Sequence, residues 1–168
     1  TRDGAITGVA LADLCYTAGL CVGLDLAYTE LRDEDLLLTV PADQVDIFES
    51  DEQAICGEPI RDSDRIVREV SFVDGALYPS EAPAKHTLGK ATRMIYIIDA
   101  VFATIGMHLN FLKGKSGMQL TIRGVGARAL QRIVETQLNG QLEFTRYSGA
   151  TQTICLDRHY AHLGTDKG

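Results

Sequence analysis

The sequence has no CxxC cysteine pair, no uninterrupted apolar run of membrane-spanning length and no basic stripe. Each absence removes a class of protein. Four cysteines (Cys15, Cys21, Cys56 and Cys155) stand apart among mostly apolar neighbours. That usage fits buried free thiols in a reducing cytoplasm better than a disulfide framework or zinc knuckles. The longest apolar stretch, Met94–Met107, is interrupted by Asp99 and falls short of the ~18 residues that span a bilayer. No basic segment followed by an apolar one opens the chain, so neither a signal peptide nor a membrane is expected. Sixteen Lys and Arg face 23 Asp and Glu, a formal charge of -7. Duplex binding needs clustered positive charge to displace counterions, so nucleic acid is not an expected partner.

Catalytic signatures are equally scarce. There is no G-x-S-x-G elbow and no Cys–His signature, and only four histidines. Lys113-Gly-Lys-Ser116 lacks the upstream glycine spacing of a P-loop and reads as a turn. The acidic clusters Glu30–Asp35, Asp46–Glu52 and Asp62–Asp64 lack the alternating ligand spacing of a calcium loop and read as solvated faces. Catalytic residues stay unassigned, and no cofactor is expected.

What the chain does have is a body of ordinary globular composition, 168 residues of which 45% are hydrophobic. That is enough to bury a core without a disulfide or metal staple. A weak internal repetition gives the organisation. Cys15–Leu24 can be laid on Phe102–Phe111, sharing Thr17 with Thr104 and Gly19 with Gly106. In the second half Ala91, Ile95, Ile98, Phe102 and Ile105 recur at helical spacing, and Gly106 supplies a stop. Met107, Leu109 and Phe111 then alternate with polar residues, as do Met118, Leu120 and Ile122. With Lys113–Gly117 between them, they predict a hairpin with one apolar face. The first half follows the same plan: a helix over Ile6–Ala18 stopped by Gly19, a strand over Leu20–Tyr28, a turn, and a returning strand over Leu36–Val40. Second helices are expected over Ala42–Ile55 and Ala127–Leu138. Closing strands are expected over Ile66–Val73, Gln141–Tyr147 and Thr151–Asp157.

The predicted fold is therefore α+β: one compact domain of two similar helix–hairpin–helix–strand halves, residues 5–74 and 86–163. Residues 75–85 connect them, and helices cover one face of a mainly antiparallel sheet. The outward face of the second hairpin carries His108, Asn110, Gln119, Thr121 and Arg123. It is open to three readings: solvated sheet, subunit interface, or a site for an anion.

Three clusters invite chemistry. Arg123-Gly-Val-Gly-Ala-Arg128 follows a strand and opens a helix, the context of a phosphate-cradling turn. A plain glycine turn accounts for it as well, and too few residues follow for a dinucleotide fold. Cys155, Asp157, His159 and His162 are metal-ligand types, but a second ligand pair is missing and no metal is assigned. Asp13 and Asp99 sit in apolar helical stretches and read as polar edge residues or partners of an arginine from another subunit. The expected function is a non-catalytic binding or regulatory module, a homo-oligomer or a subunit of a larger assembly. The alternative is an enzyme or sensor holding a small anionic or nucleotide-like ligand through Arg123, Gly124, Gly126 and Arg128, with His108 and Asn110 nearby.

Overall fold

A computed structural model describes residues 10–40, 65–67, 70–72, 75–112 and 115–157. They form helices and short strands, an α+β architecture. Two compact units divide the chain, Thr1–Ala27 with Ala82–Gly168, and Tyr28–Glu81. The expected helix over Ala42–Ile55 lies outside the described residues.

The larger unit is built on three strands in the order β5-β7-β6: β5 (Gly117–Gln119), β6 (Gln141–Thr145) and β7 (Thr151–Asp157). β6 and β7, close to the two closing strands expected around Ser148-Gly149, pair antiparallel, with Leu142 opposite Ile154 and Phe144 opposite Gln152. Gly149 takes a left-handed φ of 84° in its turn, a conformation that costs glycine nothing. β6 alternates strictly between exposed and buried residues. Its apolar side joins Ile154, Leu156 and Ala91 in one core cluster, against which Leu88, Ile95, Met118, Val134 and Leu138 pack.

The cover for that face comes from α2 (Thr87–Thr104), which meets β6. Its buried residues are Ala91, Met94, Ile97, Asp99 and Phe102, a stripe rotated slightly from the expected one. Gly106 ends it at φ 75°, and the Met107 amide reaches back to the Phe102 carbonyl at 2.9 Å, a left-handed helix stop as expected. α3 (Ala127–Arg132) continues through a π-helical turn over Ile133–Gln137, close to the expected second helix.

Two expectations fail here. The hairpin of 107–111 with 118–122 does not form, and β5 instead pairs in parallel with β7, so the sheet is mixed. The reason is local. The Asn110 side chain accepts the Leu112 amide at 3.0 Å, and Ser116 Oγ donates to the Asn110 carbonyl at 2.6 Å. These bonds make a turn where a ladder was expected. The alternation survives without the ladder: Met107, Leu109, Phe111, Met118, Leu120 and Ile122 are half-buried, while His108, Asn110, Gln119, Thr121 and Arg123 are exposed.

The second failure is larger. Leu20–Tyr28 is helical, part of α1 (Ala10–Asp33), and Gly19 does not stop it. The alternating apolar residues of this segment also fit a helix, because Leu20, Leu24, Ala27 and Leu31 recur at helical spacing. The order helix–hairpin–helix–strand is thus not repeated in the first half. Gly23 is buried, and a Cβ built there would stand 2.8 Å from Ile105 Cδ1 and 2.9 Å from Phe102 Cε1. Glycine is what lets α1 lie this close to the end of α2.

In the smaller unit the end of α1 turns at Asp35, φ 54°. The Leu36 amide bonds the Leu31 carbonyl at 2.9 Å, and Leu31, Leu36 and Leu37 are buried. β1 (Thr39–Val40) pairs with β2 (Arg65–Ile66), and β3 (Val70–Phe72) with β4 (Gly75–Leu77), both antiparallel. The expected connector therefore begins with a strand. Ser80 Oγ donates to the Leu36 carbonyl at 2.6 Å, and the Leu38 amide to that of Pro79 at 3.1 Å.

Two glycine substitutions separate close approach from helix propensity. Gly89, on α2, has nothing within 4 Å of a built Cβ, so Gly89→Ala gains up to ~1 kcal/mol from propensity. Gly23→Ala has the same propensity gain but must displace a buried ring, and the overpacking cost of ~1–3 kcal/mol reverses its sign. Thermal unfolding of the two variants should move Tm in opposite directions.

Candidate functional site

The one buried charge among the described residues is Asp99, 1% exposed in the middle of α2. It is not an edge residue, and its partner comes from the same chain. Arg146, just after β6, donates from Nη2 to Oδ1 at 2.7 Å and from Nε to Oδ2 at 3.1 Å. The Tyr147 amide adds a longer bond to Oδ2 at 3.4 Å. A two-pronged guanidinium–carboxylate contact of this kind fixes orientation as well as charge. The Arg146 guanidinium also lies 5.1 Å over the Phe111 ring, and Phe111 meets Phe144 edge-on at 5.0 Å between centroids. The hydrogen bond to Asp99 pushes Arg146 further above its usual value, against the effect of burial. Both carboxylate oxygens are occupied, so Asp99 acts as a clamp between α2 and the sheet rather than as a general acid or base.

Arg123, Gly124, Gly126 and Arg128 lie together in one exposed turn. Gly124 and Gly126 adopt φ 78° and 82°, values that only glycine takes without strain. The Ala127 amide donates to the Gly124 carbonyl at 3.2 Å, and the Leu130 amide to that of Gly126 at 3.0 Å. The turn therefore spends its Ala127 amide on itself rather than aiming it at an oxyanion. His108 and Asn110 stand on the loop after α2. Among the described residues no hydrogen bond or ion pair joins them to the arginine turn. Of the C-terminal metal-type cluster only Cys155 has a described side chain, half-buried. Asp157 contributes described backbone alone, His159 and His162 lie outside the described residues, and so does the side chain of Asp13. No group of metal-ligand residues occurs among the described ones.

The feature that sequence reasoning missed is on α1. The helix buries Gly23, Leu24, Ala27 and Leu31 and leaves the other side bare. Leu14, Cys15, Ala18, Cys21 and Val22 are all exposed, within an arc of about 120° at 3.6 residues per turn. Leu14 is 65% and Val22 50% exposed, with Leu26 at the edge of the arc 44% exposed. Cys15 and Cys21 are thus exposed thiols rather than the expected buried ones. Asp25 is the first charge on this arc. A helix apolar on every side belongs in an interior, and the sequence signal was that Leu11–Tyr28 carries only Asp13, Thr17 and Asp25 as polar interruptions besides its tyrosines.

The clamp has a measurable cost of removal. Arg146→Met or Arg146→Gln leaves the buried Asp99 carboxylate uncompensated and should lower unfolding stability by ~3 kcal/mol, whereas Asp99→Leu with Arg146→Met should recover most of it. A single-variant loss no larger than the ~1 kcal/mol of an exposed pair would contradict burial of the contact. Denaturant titration of the three variants decides the matter. Comparison of the chain with protein-family models, with curated proteins and with solved structures returned no match.

Proposed function

We propose that the chain is a non-catalytic interaction module that self-associates through the bare apolar face of α1. The carrying observation is that face itself: Leu14, Cys15, Ala18, Cys21 and Val22 exposed together over about two and a half turns. Soluble domains seldom leave a contiguous apolar patch uncovered, and where they do the patch marks a contact surface. The self-contained Asp99–Arg146 pair supports the same reading, since both carboxylate oxygens are already engaged. The small residue Ala18 at the centre of the arc allows a second helix to approach closely. The partner is a second copy of the chain, one of the two assemblies expected from the sequence. None of the described helices is long and apolar enough to cross a membrane.

Light scattering across a concentration series tests the proposal. The unaltered chain should rise in mass with concentration. Leu14→Glu and Val22→Glu should hold it at the monomer mass with Tm unchanged when both samples are compared at low concentration. A chain monomeric throughout, or variants that associate equally well, would overturn the reading.

A further inference from the structure

The arginine turn has a second property that its glycine pattern does not explain. Val125, between the two left-handed glycines, is 100% exposed. Nothing in the fold touches it enough to hide any part of the side chain. Along the chain on either side of it the charge is of one sign. Residues 100–134 contain Lys113, Lys115, Arg123, Arg128 and Arg132 and no acidic residue, although the whole chain carries -7. Arg123 and Arg128 are exposed and form no ion pair among the described residues. Gly126 lies against Ala84, whose Cβ is 3.0 Å from a Cβ built on the glycine, and exposed Lys85 follows Ala84 in the chain.

We infer that this turn is a peripheral docking tip for an anionic lipid surface, with Val125 entering the interface and Arg123, Arg128 and Lys85 seated among the headgroups. The argument is one of charge complementarity and size. A protein hot spot needs a cluster of apolar anchors within roughly 800 Å² per partner, and this loop offers one branched side chain. A bilayer accepts a single apolar wedge, and its negative surface potential attracts each nearby Lys or Arg by ~1 kcal/mol. The expectation of no membrane rested on the lack of a spanning run, which does not bear on contact with the surface. Fixing Val125 between Gly124 and Gly126 keeps the apex pointed away from the fold, where packing cannot reclaim it.

The chain contains no tryptophan, so V125W places a single reporter at the apex. Vesicles of equal parts phosphatidylserine and phosphatidylcholine should sediment the chain, and vesicles of phosphatidylcholine alone should not. The V125W indole should shift to shorter wavelength on the mixed vesicles and be quenched by bromine-labelled acyl chains. Arg123→Gln and Arg128→Gln should each weaken binding about fivefold, and Val125→Asp should abolish it, all with unchanged Tm. The inference is overturned by any of four results: equal binding to both vesicles, an indole that stays in water on bound vesicles, competition by soluble glycerophosphoserine, which would mark a small-anion site, or retention on polyglutamate with no vesicle binding, which would mark an acidic protein partner.

Discussion

A helix presents its side chains around a full circle, while one neighbour covers only part of it. α1 has apolar residues on both sides, and the Gly23 contact with Phe102 and Ile105 uses one of them. The closeness of that contact is what sets the rest. With no side chain at residue 23, α1 sits tight against the end of α2, Leu24 and Ala27 go under, and Leu14, Ala18 and Val22 are turned outward by geometry alone. Burial of one face therefore dictates exposure of the other. The functional reading follows from that constraint, because uncovered apolar surface of this extent favours association.

The second organising contact lies across the sheet. α2 carries a carboxylate into the interior, which would be prohibitive alone and is tolerable only with a well-oriented partner. Arg146 supplies it from the turn joining β6 to β7, and its guanidinium lies over the Phe111 ring, which in turn meets Phe144 edge-on. Such a pair adds little net stability but penalises every other register of α2 on the sheet. The mixed pairing of β5 with β7 becomes possible in the same frame, since Asn110 bonds to Leu112 and Ser116 and residues 107–111 do not occupy the neighbouring strand position.

Much of the second half was legible from the sequence, and the first half was not. α2, its Gly106 stop, α3 and the β6–β7 hairpin each combine a clean period with a glycine or turn residue at the boundary. Gln119, Thr121 and Arg123 also face solvent as their alternation implies, although the ladder expected to align them with His108 and Asn110 is missing. Leu20–Tyr28 misled because its apolar residues satisfy periods of two and of 3.6 together, and Gly19 and Gly23 resemble breaks although both lie inside the helix. Asp99 looked like an edge residue because its partner is 47 positions away, a distance over which local pattern carries no information. The turn at Gly124 and Gly126 is marked in the sequence by its glycines, whereas no pattern marks Val125, the residue they expose.

Thiol chemistry gives the most direct access to the central claim, because Cys15 and Cys21 lie on the bare face of α1 and are both exposed. The rate of maleimide labelling at each cysteine, read peptide by peptide in mass spectrometry, can be followed as the chain is concentrated. Covering of that face by a second copy predicts that Cys15 and Cys21 slow together as concentration rises while half-buried Cys155 keeps its rate. Labelling of Cys15 and Cys21 that stays fast and independent of concentration would show the face open at all times and contradict the account.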